Sequence, residues 1–194
     1  MKIIKQSWRY LNEPDGHLML KTIEQAGRIC YKSEDKITEE SSTEFVRKIT
    51  KSGHHSVIEH ATVSVVIITN RGVSHEIVRH RLASYSQEST RYVNYATKNG
   101  EGMQFILPVW FYELSNEHYP SGCAPSFLPY GGKSDTDEVC AYNIWVGDCA
   151  HVEDTYNSLI KLKQSPQKAR EVLSNSLKTE IVMTANLREW RHVF

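Results

Sequence analysis

Residues 61–92 read ATVSVVIITNRGVSHEIVRHRLASYSQESTRY. The first nine are β-branched and partly alternating, which is the composition of a strand, and Asn70-Arg71-Gly72 is a turn signal that ends it. Ser74 is a good helix N-cap, so HEIVRHR reads as a short helix behind it. Successive side chains on a helix diverge by about 100°, so Arg79, His80 and Arg81 would fan over roughly 200°. They cannot all grip one small ligand from one side. Either part of the triplet is a surface charge paired with Glu76, or more than one ligand or subunit meets the segment. Seven residues separate Arg81 from Ser89, which stands among Gln87, Thr90 and Arg91. Arginine offers a planar fork for phosphate oxygens, and serine or glutamine can read the polar edge of a base, so the stretch suits a phosphorylated ligand.

Working outward, residues 17–30 have helical spacing, with Asp15 and Gly16 as the start signal. Ser41 and Glu44 form a capping box ahead of a helix through Val46 and Ile49, and Gly53 is a natural stop. Residues 104–107 read as a strand ended by Pro108, and 112–133 as a long surface connection rich in glycine and proline. A helix is expected from Ser134, with Asp137 completing its cap, to about Lys163. Ser165-Pro166 starts another that carries Arg170. Residues 177–185 are strand-like, and Asn186 with Glu189 opens a final helix. Strands and helices without regular βαβ alternation indicate an α+β fold, a mixed or antiparallel sheet flanked by helices in a single domain.

The 194 residues are 40% hydrophobic, enough for one sizeable core. Lysine plus arginine equals aspartate plus glutamate at 23 each, so no global basic field favours a nucleic-acid polymer, and any anion site is local. No apolar run is long enough to span a bilayer, and the first residues lack a signal-peptide core. Cys30, Cys123, Cys140 and Cys149 form no CxxC pair, which points to reduced thiols in a cytoplasm. His75 and His80 are five apart, as are His55 and His60, so neither pair shares a helix face as a metal-binding pair four apart would. No metal site is expected. Cys123 in SGCAPS has no neighbouring histidine and reads as a loop thiol, and Ser84 and Ser86 as loop hydroxyls. In GHHSVIEH (53–60), Ser56 is a candidate cap closed by Glu59, and its exposed amides beside His54 could meet an anion or a flat ring.

The arrangement RHR, seven residues, Ser resembles the signature of the flavin-dependent thymidylate synthases. Three further blocks agree in order: GHHSVIEH at 53–60, AREVL at 169–173 and TANLREWRH at 184–192. The resemblance implies a domain over 1–194 that makes dTMP from dUMP, with methylenetetrahydrofolate as carbon donor and FAD, reduced by NADPH, as hydride donor. It also implies a homotetramer with active sites at subunit junctions. By similarity, His54, Ser56, Glu59, Arg79, His80, Arg81, Asn186, Arg188 and His192 would bind FAD. Glu76, Arg79, Gln87, Ser89, Thr90, Arg91 and Arg170 would bind dUMP. Two ligands and several chains then share the triplet. A classical thymidylate synthase needs an activated cysteine, for which the chain offers no candidate; a flavin route lets the cofactor carry the hard step while arginines hold charge.

Three departures stand out. Ser174 replaces a common proline, and Glu76 stands where some members have glutamine. The family's further arginine, thought to help ionise the uracil ring, would lie beyond Phe194, so no catalytic residue is expected within this chain and a C-terminal truncation is. A noncatalytic FAD- or nucleotide-binding protein on the same fold is the alternative reading.

Overall fold

The computed structural model describes residues 1–96, 102–114 and 137–194. Its elements are β1 (Lys2–Ile4), β2 (Ser7–Tyr10), α1 (Gly16–Tyr31), α2 (Ser41–Lys51), β3 (Thr62–Asn70), α3 (Arg71–Ile77), β4 (Ala83–Gln87), β5 (Gln104–Ile106), α4 (Asp137–Lys161), α5 (Pro166–Ala169), β6 (Lys178–Asn186) and α6 (Leu187–Val193). Four strands form a sheet in the order β2-β3-β6-β4, and β1 pairs with β5 in parallel. Ser64 bonds Thr184 while Arg71 bonds Leu177, so β3 and β6 run antiparallel. Helices with an antiparallel sheet match the α+β expectation. Contacts divide the chain into two compact units, each with its own core.

The first unit comprises Met1–Ser7, Ile68–Glu76 and Gln87–Ile181. Its main helix, α4, buries Val139, Tyr142, Val146, Cys149, Val152 and Tyr156, steps of three and four that make one apolar stripe. Ile3, Phe105, Leu107, Phe111 and Leu177 complete that core. Lys163 takes a left-handed φ of 60° just past α4, which stops the helix where the sequence suggested. The expected start at Ser134, most of the 112–133 connection and Cys123 lie outside the described residues.

The second unit comprises Trp8–Ile67, Ile77–Ser86 and Val182–Phe194, with a core of Ile23, Ile49, Ile58 and Ala61. Asp15 caps α1 by accepting from Leu18 N at 3.0 Å. Gly53, with φ 79°, ends α2 as expected. The capping box at α2 does not form. Ser41 lies inside the helix and its hydroxyl donates to the buried Glu24 carboxylate at 2.8 Å, while Glu44 pairs with Arg47. Glu24 also accepts from Arg28, and a charge this buried needs both partners. Ser56 likewise caps nothing: residues His55–His60 form a 3-10 turn without a side-chain cap.

The largest correction concerns the basic triplet. Helix α3 begins at Arg71, with Asn70 Oδ1 accepting from Val73 N at 2.8 Å, so Asn70 takes the role expected of Ser74. Ser74 is buried within the helix and donates to Arg71 O. The helix therefore ends at Ile77, and Arg79-His80-Arg81 lies in the turn that leads to β4. Tyr85 holds this turn in place. Its hydroxyl lies 2.8 Å from Ile77 O, which also accepts from His80 N, and 2.7 Å from His80 O, so its one proton is shared between the two carbonyls of the turn.

Candidate functional site

The second unit contains a cleft of about 890 Å³ lined by two clusters of cations. The α3–β4 turn supplies Arg79, His80 and Arg81, and the end of β6 with α6 supplies Asn186, Arg188, Glu189, Arg191 and His192. His55 and Glu59 enter from the 3-10 turn. Helix α6 has only seven residues, and it is fixed by its ends and one side chain. Asn186 Oδ1 accepts from Glu189 N at 2.9 Å, the cap that the sequence indicated. Leu187 N donates to Ala61 O at 3.0 Å, and Trp190 Nε1 donates to Val63 O at 3.2 Å.

Inside the cleft, Arg188 and Glu59 form an ion pair of 2.6 Å, with both side chains well exposed. Such a pair adds little to stability and is easily traded for a ligand. His80 Nδ1 lies 3.5 Å from the buried Glu189 carboxylate, and the His80 and His192 rings meet edge to face at 5.7 Å. Tyr85 sits close enough to Glu189 that burial, and then that carboxylate, raise its phenol above the ordinary value. It therefore remains a neutral donor. Among the described residues, Arg79, Arg81 and Arg191 have no carboxylate within ion-pair reach.

Seven of the nine residues expected to hold a cofactor line this cleft: Glu59, Arg79, His80, Arg81, Asn186, Arg188 and His192. His54 and Ser56 lie instead in a neighbouring depression with Tyr31 and Arg188. There the Tyr31 hydroxyl is 2.9 Å from His54 Nδ1 and the two rings stack. Sequence reasoning passed over His55, Leu82, Glu189 and Arg191. Glu189 was seen only as a capping partner; its position three residues after Asn186 was the available signal.

The residues expected to bind nucleotide belong to the first unit, apart from Arg79. Gln87 Nε2 donates to Ser74 Oγ at 2.8 Å and Thr179 Oγ1 at 3.2 Å. Ser89 Oγ accepts from Arg91 N at 3.3 Å, and Ser89 O accepts from Tyr92 N and Val93 N, which curls the segment into a tight turn. Arg91 and Glu76 are exposed, while Arg170 follows α5 with its Nε 3.5 Å from Glu171.

Comparison with known proteins identifies the family of the chain. Residues 17–194 match the family model described as thymidylate synthase complementing protein. The flavin-dependent thymidylate synthase of Corynebacterium efficiens is 34% identical over 184 residues, 93% of this chain and 68% of that protein. Those of Mycolicibacterium vanbaalenii and Mycobacterium tuberculosis are 36% and 35% identical, each over 88% of this chain and 64% of its own length. The chain thus spans about two thirds of the length of these relatives. A UMP/dUMP methylase, PolB from Streptomyces cacaoi, shares the fold with a TM-score of 0.72 over 99% of this chain and 78% of its own, at 20% identity. With a match over residues 17–194 and relatives above one-third identity, the chain belongs to the flavin-dependent thymidylate synthase family.

Proposed function

We propose that the protein converts dUMP to dTMP, taking the carbon from methylenetetrahydrofolate and two electrons from NADPH by way of FAD. The observation that carries this reading is the arginine-lined cleft within a chain of this family. Four arginines against two carboxylates leave two positive charges there with the histidines neutral, which matches the diphosphate of a flavin dinucleotide. The cleft volume is also of the size that holds a cofactor. Arg79, Arg81 and Arg188 are permanently charged, and their forks suit phosphate oxygens. His80, Asn186, His192 and Glu59 add polar contacts, with His54 and Ser56 reached from the neighbouring depression.

When bound, the flavin supplies the hydride that completes the new methyl group. Glu76, Arg79, Gln87, Ser89, Thr90, Arg91 and Arg170 hold dUMP, with Arg91 on the phosphate. Assembly is as a homotetramer in the cytoplasm, with each active site drawing on several chains. Among the described residues, no helix is long and apolar enough to cross a membrane.

The test is to purify the protein, look for flavin absorbance, and then assay release of tritium from 5-labelled dUMP with NADPH and methylenetetrahydrofolate present. Flavin together with tritium release supports the enzyme. A colourless protein that ignores added FAD overturns the reading. Bound flavin and dUMP without tritium release, in this chain and in a C-terminally extended one, leaves a noncatalytic binder.

A further inference from the structure

Helix α6 sets one acidic side chain, Glu189, among the arginines and histidines of the cleft wall. The side chain is only 7% exposed, and a carboxylate so buried needs a partner. His80 provides it, with Nδ1 3.5 Å from Glu189 Oε1. Among the described residues, no lysine or arginine comes within ion-pair reach of Glu189. Tyr85 stands close enough to feel its charge, but the Tyr85 hydroxyl is committed to Ile77 O and His80 O.

Both partners are fixed through their backbones. Glu189 N donates to Asn186 Oδ1 at 2.9 Å, and the next residue, Trp190, ties α6 to Val63 O at 3.2 Å. His80 N donates to Ile77 O at 3.2 Å, and His80 O accepts from Tyr85 at 2.7 Å. The pair is thus set by two anchored elements, and among the described residues it is the only ion pair joining the α3–β4 turn to α6. A carboxylate facing Nδ1 keeps a proton on that nitrogen, because a bare Nδ1 would turn its lone pair toward the anion. Nε2 has no partner among the described residues and is left for a ligand. The His80 side chain is 30% exposed, so a ligand reaches the imidazole rather than the carboxylate behind it.

We propose that Glu189 is a positioning residue for the cofactor: it holds His80 by Nδ1 and so fixes the tautomer and direction of the ring that the cofactor meets. This rests on the assignment of a flavin dinucleotide to the cleft made above.

Titration of FAD into the flavin-free full chain, read by flavin fluorescence, tests it, with urea unfolding as a folding control. Glu189→Leu should weaken FAD binding on the order of tenfold, the size of one charge-assisted contact. The same substitution in a His80→Ala background should change affinity by less than about twofold, because the group it positions has gone. Unchanged affinity in Glu189→Leu, or an equal loss in both backgrounds, overturns the proposal. Nitrogen NMR of labelled histidine gives a second readout that needs no Glu189 variant, the His80 signals being those missing from His80→Ala. At a pH about two units above the ordinary histidine value of ~6.5, a protonated Nδ1 supports the pair and a bare Nδ1 refutes it, and this decides if Glu189→Leu does not fold. A wild-type protein that ignores FAD overturns the flavin reading of the cleft and this role with it. Failure of the role alone leaves wild-type FAD binding intact.

Discussion

Asn186→Ala separates two roles that fall on one side chain. Its Oδ1 caps α6 through Glu189 N at 2.9 Å, and its position in the cleft makes it a candidate cofactor contact. Removing a cap costs about 1 kcal/mol in a solvated helix. Glu189 is 6% exposed, so water cannot easily replace the lost acceptor, and the cost rises toward about 2 kcal/mol. A helix of seven residues has almost no stability of its own, so the loss reaches everything that α6 carries. With a urea m-value of about 2 kcal/mol/M, the unfolding midpoint of the flavin-free protein should fall by roughly 0.5–1 M. Tryptophan fluorescence is a suitable probe, because Trp190 lies on this helix. Asn186→Asp retains the acceptor and should recover most of the midpoint. If Asn186 also touches the flavin, Asp will restore stability but not flavin affinity. A midpoint unchanged in the alanine variant, or an aspartate variant as unstable as the alanine one, refutes the capping argument.

Three other outcomes are expected. In Gly27→Ala the new Cβ would lie 2.7 Å from Phe45 Cε1 and Cζ and 3.1 Å from Val57 Cγ1. Overpacking of about 1–3 kcal/mol then exceeds the helix-propensity gain of about 1 kcal/mol, and a thermal melt should show a net loss that Phe45→Leu relieves. The Cys149 thiol is pushed up to about 12 by burial and then by Asp148, from an ordinary value of 9. A value raised in the fold means that its contribution to stability is full below pH 9 and is lost as pH rises toward 12. Cys149→Ala should therefore flatten the alkaline decline in urea midpoints. Finally, Arg91→Ala should weaken dUMP binding by about tenfold while flavin content holds, since one charge-assisted contact is lost; equal nucleotide affinity counts against the assignment.

Strands β3, β5 and β6 and the long helices were legible because their signals are local, whereas β1 and β2 are too short to carry a pattern and β4, whose Ser84 and Ser86 read as loop hydroxyls, lacks a β-branched run. The β-branched run of β3, the Asp15 start of α1 and the Asn186–Glu189 cap each depend on residues a few positions apart. The misassigned caps share one physical origin, which is that a serine at a capping position is not bound to cap. Ser74, Ser41 and Ser56 all occupy plausible capping positions. Ser74 is instead buried within α3, Ser41 is drawn to Glu24, and Ser56 lies inside a turn that no side chain caps. Placing the start of α3 four residues late displaces its end as well, so the fan of three side chains belongs to a helix that the triplet does not join. The site residues are named through family resemblance, whereas the place of Glu189 depends on a contact that only folding makes.

The turn held by Tyr85 has a consequence for the seven-residue interval between Arg81 and Ser89. Strand β4 occupies most of that interval and alternates faces, so Tyr85 and Gln87 point one way and Ser84 and Ser86 the other. The interval is therefore a phase as well as a length. Deleting one residue from it would carry Gln87 onto the opposite face from Tyr85's, while deleting two would shorten the strand and keep the faces in step. A spacing that looks like a count of residues in the sequence is a parity in the sheet.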